Sequence, residues 1–138
     1  MGKFILTDVF VEVNGVNFSD HVSSVEVSVS HDEVDVTSFS GGGRERLAGL
    51  RDDSFTLNFQ QDFAVGEVDA TLWPLFSNKT EFTVKVRGTS AAISTSNPEY
   101  SATCILLEYQ ALSGSPGDLS ETSVTFPAQR SGIARATV

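Results

Sequence analysis

Residues 52–63 read DDSFTLNFQQDF, and their alternation decides the fold class. Phe55, Leu57, Phe59 and Phe63 fall on one side of an extended chain, with Asp52, Ser54, Thr56, Asn58, Gln60 and Asp62 on the other. Successive side chains of a strand point to opposite faces, so this period of two predicts a strand with one apolar face and one entirely hydrophilic face. Ten phenylalanines in 138 residues supply the mass for a core.

The same alternation extends in both directions. VFVEVNGVNF (9–18) contains Asn14-Gly15, a hairpin signal because both residues tolerate positive φ. In SVEVSVS, Val25, Val27 and Val29 share a face; Val34 and Val36 then resume in a shifted phase, which predicts a bulge or turn near His31-Asp32. EFTVKVR (81–87) alternates, and YSATCILLEY (100–109) has a continuous apolar middle that predicts a strand covered on both sides. SETSVTF and IARATV complete the strands. One helix fits around 67–76, where Val68, Leu72 and Leu75 or Phe76 share a side and Asp69 is the expected cap; Pro74 limits its regularity, and Trp73 is expected to pack or mark an interface. GTSAAISTSNP (88–98) and SGSPGD (113–118) read as surface loops.

The length suits one domain, 1–138, large enough to hold a core without staples. Cys104 is the only cysteine, so disulfides within the chain and thiolate metal clusters are excluded, and its apolar surroundings make it a small core residue. The apolar run Phe4 to Leu6 is too short for a signal peptide or a membrane span, which predicts synthesis and folding in a cytoplasm without membrane insertion. Net charge is −9, all of it carried by residues 1–70. Such a balance disfavours adhesive binding to nucleic acid, which depends on lysine and arginine displacing counterions.

Between two predicted strands lies FSGGGRERLAGLR (39–51). A phosphate cradle, a flexible linker and an arm that orders against a partner are the candidates. The first fails, because a P-loop needs Gly-Lys followed by a hydroxyl residue, and neither is present. Catalytic chemistry is equally thin. His31 has Asp32, Glu33 and Asp35 nearby, but adjacent strand residues point apart, and a solvated acidic turn is the better reading. No G-x-S-x-G occurs, and pairs such as Asp52-Asp53 are not singled out from the acidic stretch around them. No catalytic residue, metal site or cofactor is expected.

The order of these features resembles the major tail proteins, or tail tube proteins, of long-tailed non-contractile bacteriophages. The resemblance is densest in DVTSFSGGGRERLAGLRDDSFTLNFQQDF, in VDATLWPLF followed by TEFTVKVR, and in NPEYSATCILLEYQALSGSPGDLSETSVTF with its closing Ile-Ala-Arg-Ala-Thr. Cys104 and Gln110 are departures that leave the pattern intact. The resemblance implies a mainly β fold, a β-sandwich or open β-barrel with one short α-helix and a long hairpin loop. It further implies hexameric rings stacked into the tube through which DNA leaves the virion, with the tape-measure protein and other tail proteins as partners.

On that reading the polar row Asp52, Ser54, Thr56, Asn58, Gln60 and Asp62 lines the bore, joined by Glu33 and Asp35 if the two strands pair as a hairpin. An acidic lining repels phosphates over a screening length of roughly 8–10 Å and leaves DNA mobile. The 39–51 loop becomes a flexible arm that folds against the neighbouring ring. Arg44, Glu45 and Arg46 form ion pairs there, and Leu47 and Leu50 bury apolar area. The terminal segments are further candidates for extended arms. A monomeric β-sandwich for binding, decoration or the tail tip is the alternative.

Overall fold

The computed structural model describes Lys3 and residues 5–138. Met1, Gly2 and Phe4, and with Phe4 the start of the expected apolar run, lie outside the described residues. Ten strands and one helix follow in chain order: β1 (Phe10–Val13), β2 (Val16–Asn17), β3 (Val22–Ser28), β4 (His31–Asp35), β5 (Arg46–Arg51), β6 (Ser54–Gln60), α1 (Val68–Asn78), β7 (Phe82–Arg87), β8 (Glu99–Cys104), β9 (Glu121–Pro127) and β10 (Ala134–Ala136). They form a five-stranded sheet ordered β10-β8-β7-β1-β2, a three-stranded sheet β3-β6-β9, and a two-stranded sheet β4-β5. All pairings are antiparallel.

The two larger sheets face each other across the core, as the apolar rows demand. Phe55, Leu57 and Phe59 of β6 and Val124 and Phe126 of β9 meet Val11 and Val13 of β1 and Phe82, Val84 and Val86 of β7. A relay of edge-to-face rings spans the gap: Phe18 on Phe59, Phe59 on Phe126, Phe126 on Phe82, with centroids 5.6–6.2 Å apart. The sheets touch along one side, where Cys104 and Ala128 form a bridge and Ile105 N–H donates to the Pro127 carbonyl. They do not close into a barrel, so the sandwich is open.

The Asn14-Gly15 hairpin forms as expected, with φ of 51° and 81°. The register slip near His31 is also present: β3 ends at Ser28, and the β4–β5 pairing shifts between His31 and Glu33. The helix buries Val68, Leu72 and Leu75 and runs through Pro74 at the cost of one backbone bond. Asp69 is not its cap. Glu67 holds the cap position without a side-chain bond, and Asp69 lies in the first turn, where it accepts a hydrogen bond from Tyr109 Oη at 2.7 Å.

Three other expectations are corrected. Phe63 lies beyond the end of β6 and is exposed, because the chain turns towards α1 after Gln60. The run 100–109 is a strand only to Cys104 and is covered on one face: Ala102, Cys104 and Leu106 are buried while Leu107 is exposed. The expected pairing of Glu33 and Asp35 with the polar row of β6 is absent. β6 pairs with β3 and β9, and β4 pairs with β5 as a separate hairpin.

Candidate assembly surfaces

The outward face of the β3-β6-β9 sheet is the first surface. Cross-strand rows set Glu26 beside Thr56 and Thr125, Ser24 beside Asn58 and Ser123, and Ser28 beside Ser54 and Pro127; Gln60 stands beside Glu121. Because alternate residues of all three strands feed the core, this face is left to hydroxyls, amides and two carboxylates, and it carries no lysine or arginine. Asn58 Nδ2 donates to Ser23 Oγ and to Glu121 Oε2, both at 2.9 Å, which ties the three strands on the polar side.

Of the residues expected in this row, Ser54, Thr56, Asn58 and Gln60 lie in it. Asp52 precedes the strand, and Asp62 follows it and turns to His21. Ser123, Thr125 and Glu121 belong to the same face but were not read as such from sequence. The alternation in SETSVTF was the available signal, and it lacked only the pairing that sets it beside β6.

The second surface is the β4–β5 hairpin, which projects from the sandwich with nearly every residue exposed. Of the 39–51 segment expected as a loop, Arg46–Arg51 is strand β5, so Arg46, Leu47 and Leu50 sit on a strand and Arg44 and Glu45 lead into it. Leu47 and Leu50 are 58% and 79% exposed. Val34 and Val36 are also open to solvent, giving an apolar surface with no partner within the described chain.

Opposite charges line the hairpin. Arg44 Nη1 is 3.0 Å from Asp35 Oδ2, and Arg46 pairs with Glu33. Hydrogen bonds from Thr37, and then Arg44, hold the Asp35 carboxyl below its usual range. At the tip, a Cβ on Gly41, Gly42 or Gly43 would meet nothing within 4 Å, so packing does not demand these glycines.

The hairpin is rooted on Asp53, which is only 2% exposed. Its Oδ1 accepts from Ser30 N at 3.1 Å, and its Oδ2 from Ile133 N at 2.8 Å and Arg51 Nη2 at 2.5 Å. Burial pushes this carboxyl up, but the two amides and the guanidinium outweigh it, and its pKa lies below the ordinary value. In the sequence Asp53 stands as one of a pair of acids. The overlooked signal is its phase, since position 53 belongs to the apolar row of 55, 57 and 59.

The chain therefore has two unlike ends. The hairpin leaves where β3 ends and β6 begins. Where β3 begins and β6 ends lie Asp20, Asp62 and Glu67, clustered around His21. To one side, Trp73, half exposed and beside the Phe76 ring, borders an open groove of about 450 Å³ with Ile105, Leu106 and Leu107. No described helix is long and apolar enough to cross a membrane.

No protein-family model matches the chain, and no curated protein sequence matches it. Solved structures do. A chain from the virion of a native gene transfer agent particle matches with a TM-score of 0.74 and 16% identity, over 94% of this chain and 95% of that one. A chain from the tail of an empty gene transfer agent particle, with C6 symmetry, matches at 0.66 and 18% identity, over 86% and 82%. A chain of the SPP1 tail tube matches at 0.74 and 11% identity, over 95% and 77%. At such low identity the likeness is one of fold, and the fold of this chain is that of the phage tail-tube proteins.

Proposed function

We propose that this chain is the structural subunit of a phage-type tail tube, in which rings of six copies stack head to tail. The observation that carries the reading is the polarity of the subunit. An exposed hairpin with unpartnered leucines and arginine–carboxylate pairs projects from one end, and an acidic cluster lies at the other. A heterologous contact repeated along one axis gives an open filament rather than a closed pair. The C6 symmetry of the gene transfer agent tail supports six as the ring number.

Within a ring, the outer edges of β3 and β9 offer strand edges for neighbouring copies to complete. The cation-free face of β3-β6-β9 then lines the bore, with Ser54, Thr56, Asn58, Gln60, Glu26 and Glu121 towards the passing DNA. Asp52 and Asp62 lie at the two mouths of that face. Glu33 and Asp35 belong to the hairpin and pair with arginine there. A lining of hydroxyls, amides and a few carboxylates gives phosphates nothing to hold, whereas lysines would bind them at about 10⁻⁴ to 10⁻⁶ M per contact region. The genome passes through to the host without specific binding.

Arg44, Glu45, Arg46, Leu47 and Leu50 bind the adjacent ring. Ordering the tip against a partner couples growth to contact, since the entropy cost is met only when the next ring is present. The tape-measure protein and other tail proteins are the further partners. The protein works in the virion tail after synthesis in the bacterial host, with no enzymatic step and no cofactor. Negative-stain microscopy of the concentrated protein, with and without a tail-tip initiator, tests the reading: rings or hollow tubes support it. Single copies under both conditions favour a monomeric binding, decoration or tail-tip module.

A further inference from the structure

His21 closes the turn that leads into β3, and both of its ring nitrogens face carboxylates. Nδ1 is 2.9 Å from Asp20 Oδ1, and Nε2 is 2.9 Å from Asp62 Oδ2 and 3.5 Å from Glu67 Oε2. The imidazole is mostly buried, Asp20 is open to solvent, and Asp62 and Glu67 are about one-third exposed. A neutral imidazole has one N–H and one lone pair, so it can satisfy only one of two carboxylates; an imidazolium donates to both. The geometry points to a protonated His21 acting as a proton-operated clasp between the β3 turn and the N-terminal end of α1.

The clasp adds to backbone bonds at each of its ends and to the core packing of Phe18, Val22 and Val68. Gln60 N–H donates to the His21 carbonyl at 2.6 Å, and Asp69 N–H to the Asp62 carbonyl at 3.1 Å. Asp62 Oδ1 also accepts from Ala64 N at 2.9 Å, which shapes the connection into the helix, and Glu67 occupies the helix cap position. The charged groups facing the ring are Asp20 from its own turn, Asp62 from the β6–α1 connection and Glu67 from the helix. All are acidic. When the proton leaves, a ring lone pair is left against a carboxylate, and the bond to the turn or the bond to the connection is lost.

The direction follows from the same contacts. The hydrogen bond that His21 donates to Asp20, opposed by burial and reinforced by the one to Asp62, raises His21 above its ordinary value of 6.5. Hydrogen bonding to His21 lowers Asp20; the Ala64 amide, and then His21, lower Asp62. A group whose folded pKa is raised stabilises fully below its unfolded value, and that stabilisation disappears as pH rises through the folded value. The β3 turn and the start of α1 are therefore held below the ordinary imidazole value and released as pH rises through the raised folded value.

Proton NMR of the full chain tests this independently of ring assembly, because the protein has two histidines and His31→Gln leaves His21 alone to be read. The His21 ring signals are expected to titrate above 6.5, and Asp62→Asn and Asp20→Asn should each move the midpoint down. The protection of the amides of residues 67–71, corrected for the base-catalysed rise of intrinsic exchange, should fall as pH rises through that midpoint in the parent chain and show no such step in His21→Gln. A midpoint at or below 6.5, or one unmoved by both carboxylate changes, overturns the clasp. The ligand atoms of His21, Asp62 and Glu67 lie within 4.8 Å of one another, a spacing a divalent cation also accepts. A ring that titrates only after EDTA treatment would therefore hold a metal instead of a proton and likewise overturn it. If Asp62→Asn fails to fold, the exposed Asp20→Asn change gives the same reading.

Discussion

Arg51 Nη2 donates to Asp53 Oδ2 across 2.5 Å, and the same nitrogen donates to the Ile133 carbonyl at 3.1 Å. The last residue of β5 is thereby fixed to the segment before β10 through a carboxylate with almost no exposure. The contact stiffens the base of the hairpin at the point where it leaves the sandwich, as the proposed inter-ring arm requires.

Replacing Asp53 by Ala strands the amides of Ser30 and Ile133 and leaves Arg51 without its charge partner. Each orphaned group costs about 1–3 kcal/mol, so D53A should lower unfolding stability by about 2–4 kcal/mol in urea titration. The parent should also lose stability in acid. The folded pKa of Asp53 is depressed below 3.8, so its contribution is present above that value and falls away as pH drops through the folded pKa. D53A should show a shallower acid limb, and identical limbs would contradict the role given to this carboxylate.

Gly132 abuts the same anchor. Its φ is +71°, and an added Cβ would lie 2.7 Å from Asp53 Oδ2 and 3.0 Å from Arg51 Cζ. Left-handed backbone alone costs an L-residue roughly 1–2 kcal/mol, so G132A should destabilise by about 2 kcal/mol or more. Differential scanning calorimetry checks this, and a neutral result would mean that the anchor has slack.

Much of the fold is legible in the residues, for physical reasons. Phe55, Leu57 and Phe59 alternate strictly because one side of β6 is core and the other water, and Asn14-Gly15 declares its turn through backbone sterics alone. What fails to show is what depends on partners distant in sequence. Glu33 and Asp35 look like neighbours of β6, yet pairing is set by which strands return alongside, and β4 finds β5. Tyr100 to Tyr109 reads as one buried strand because apolar content does not reveal where a strand leaves its sheet. Asp53 looked like one acid among many, although its place in the apolar phase marks a carboxylate that must find partners inside. The polar side chains of β9 share the outward face with those of β6, a relation that only the sheet register supplies.

Charge reversal in the hairpin separates assembly from folding. Arg44 and Arg46 are exposed and their local ion pairs, screened by solvent, contribute little, so R44E/R46E should melt within a few degrees of the parent. Tube growth, followed by light scattering, should slow by roughly tenfold, the effect of losing about 1.4 kcal/mol across two reversed inter-ring charge contacts. Growth at the parental rate would refute the arm.

Cations on the outward face of β3-β6-β9 should convert it into a DNA-binding surface. Thr56 and Thr125 stand beside each other there, with Oγ1 atoms 3.4 Å apart. The T56K/T125K variant should retain duplex DNA at low salt, with affinity falling steeply as salt rises, whereas the parent should not. Fluorescence anisotropy of labelled DNA with assembled protein measures this. Equal binding by both proteins would remove the reason given for a cation-free lining.

The most direct test of the proposed tube role is a subunit-resolution electron cryomicroscopy map of the assembled protein. The predicted map has six copies per ring, the Ser24, Glu26, Thr56, Asn58, Ser123 and Thr125 face on the bore, and the Leu47–Leu50 stretch of the hairpin against the next ring. A bore lined by arginine and lysine, or that hydroxyl face turned to the outside, would contradict it.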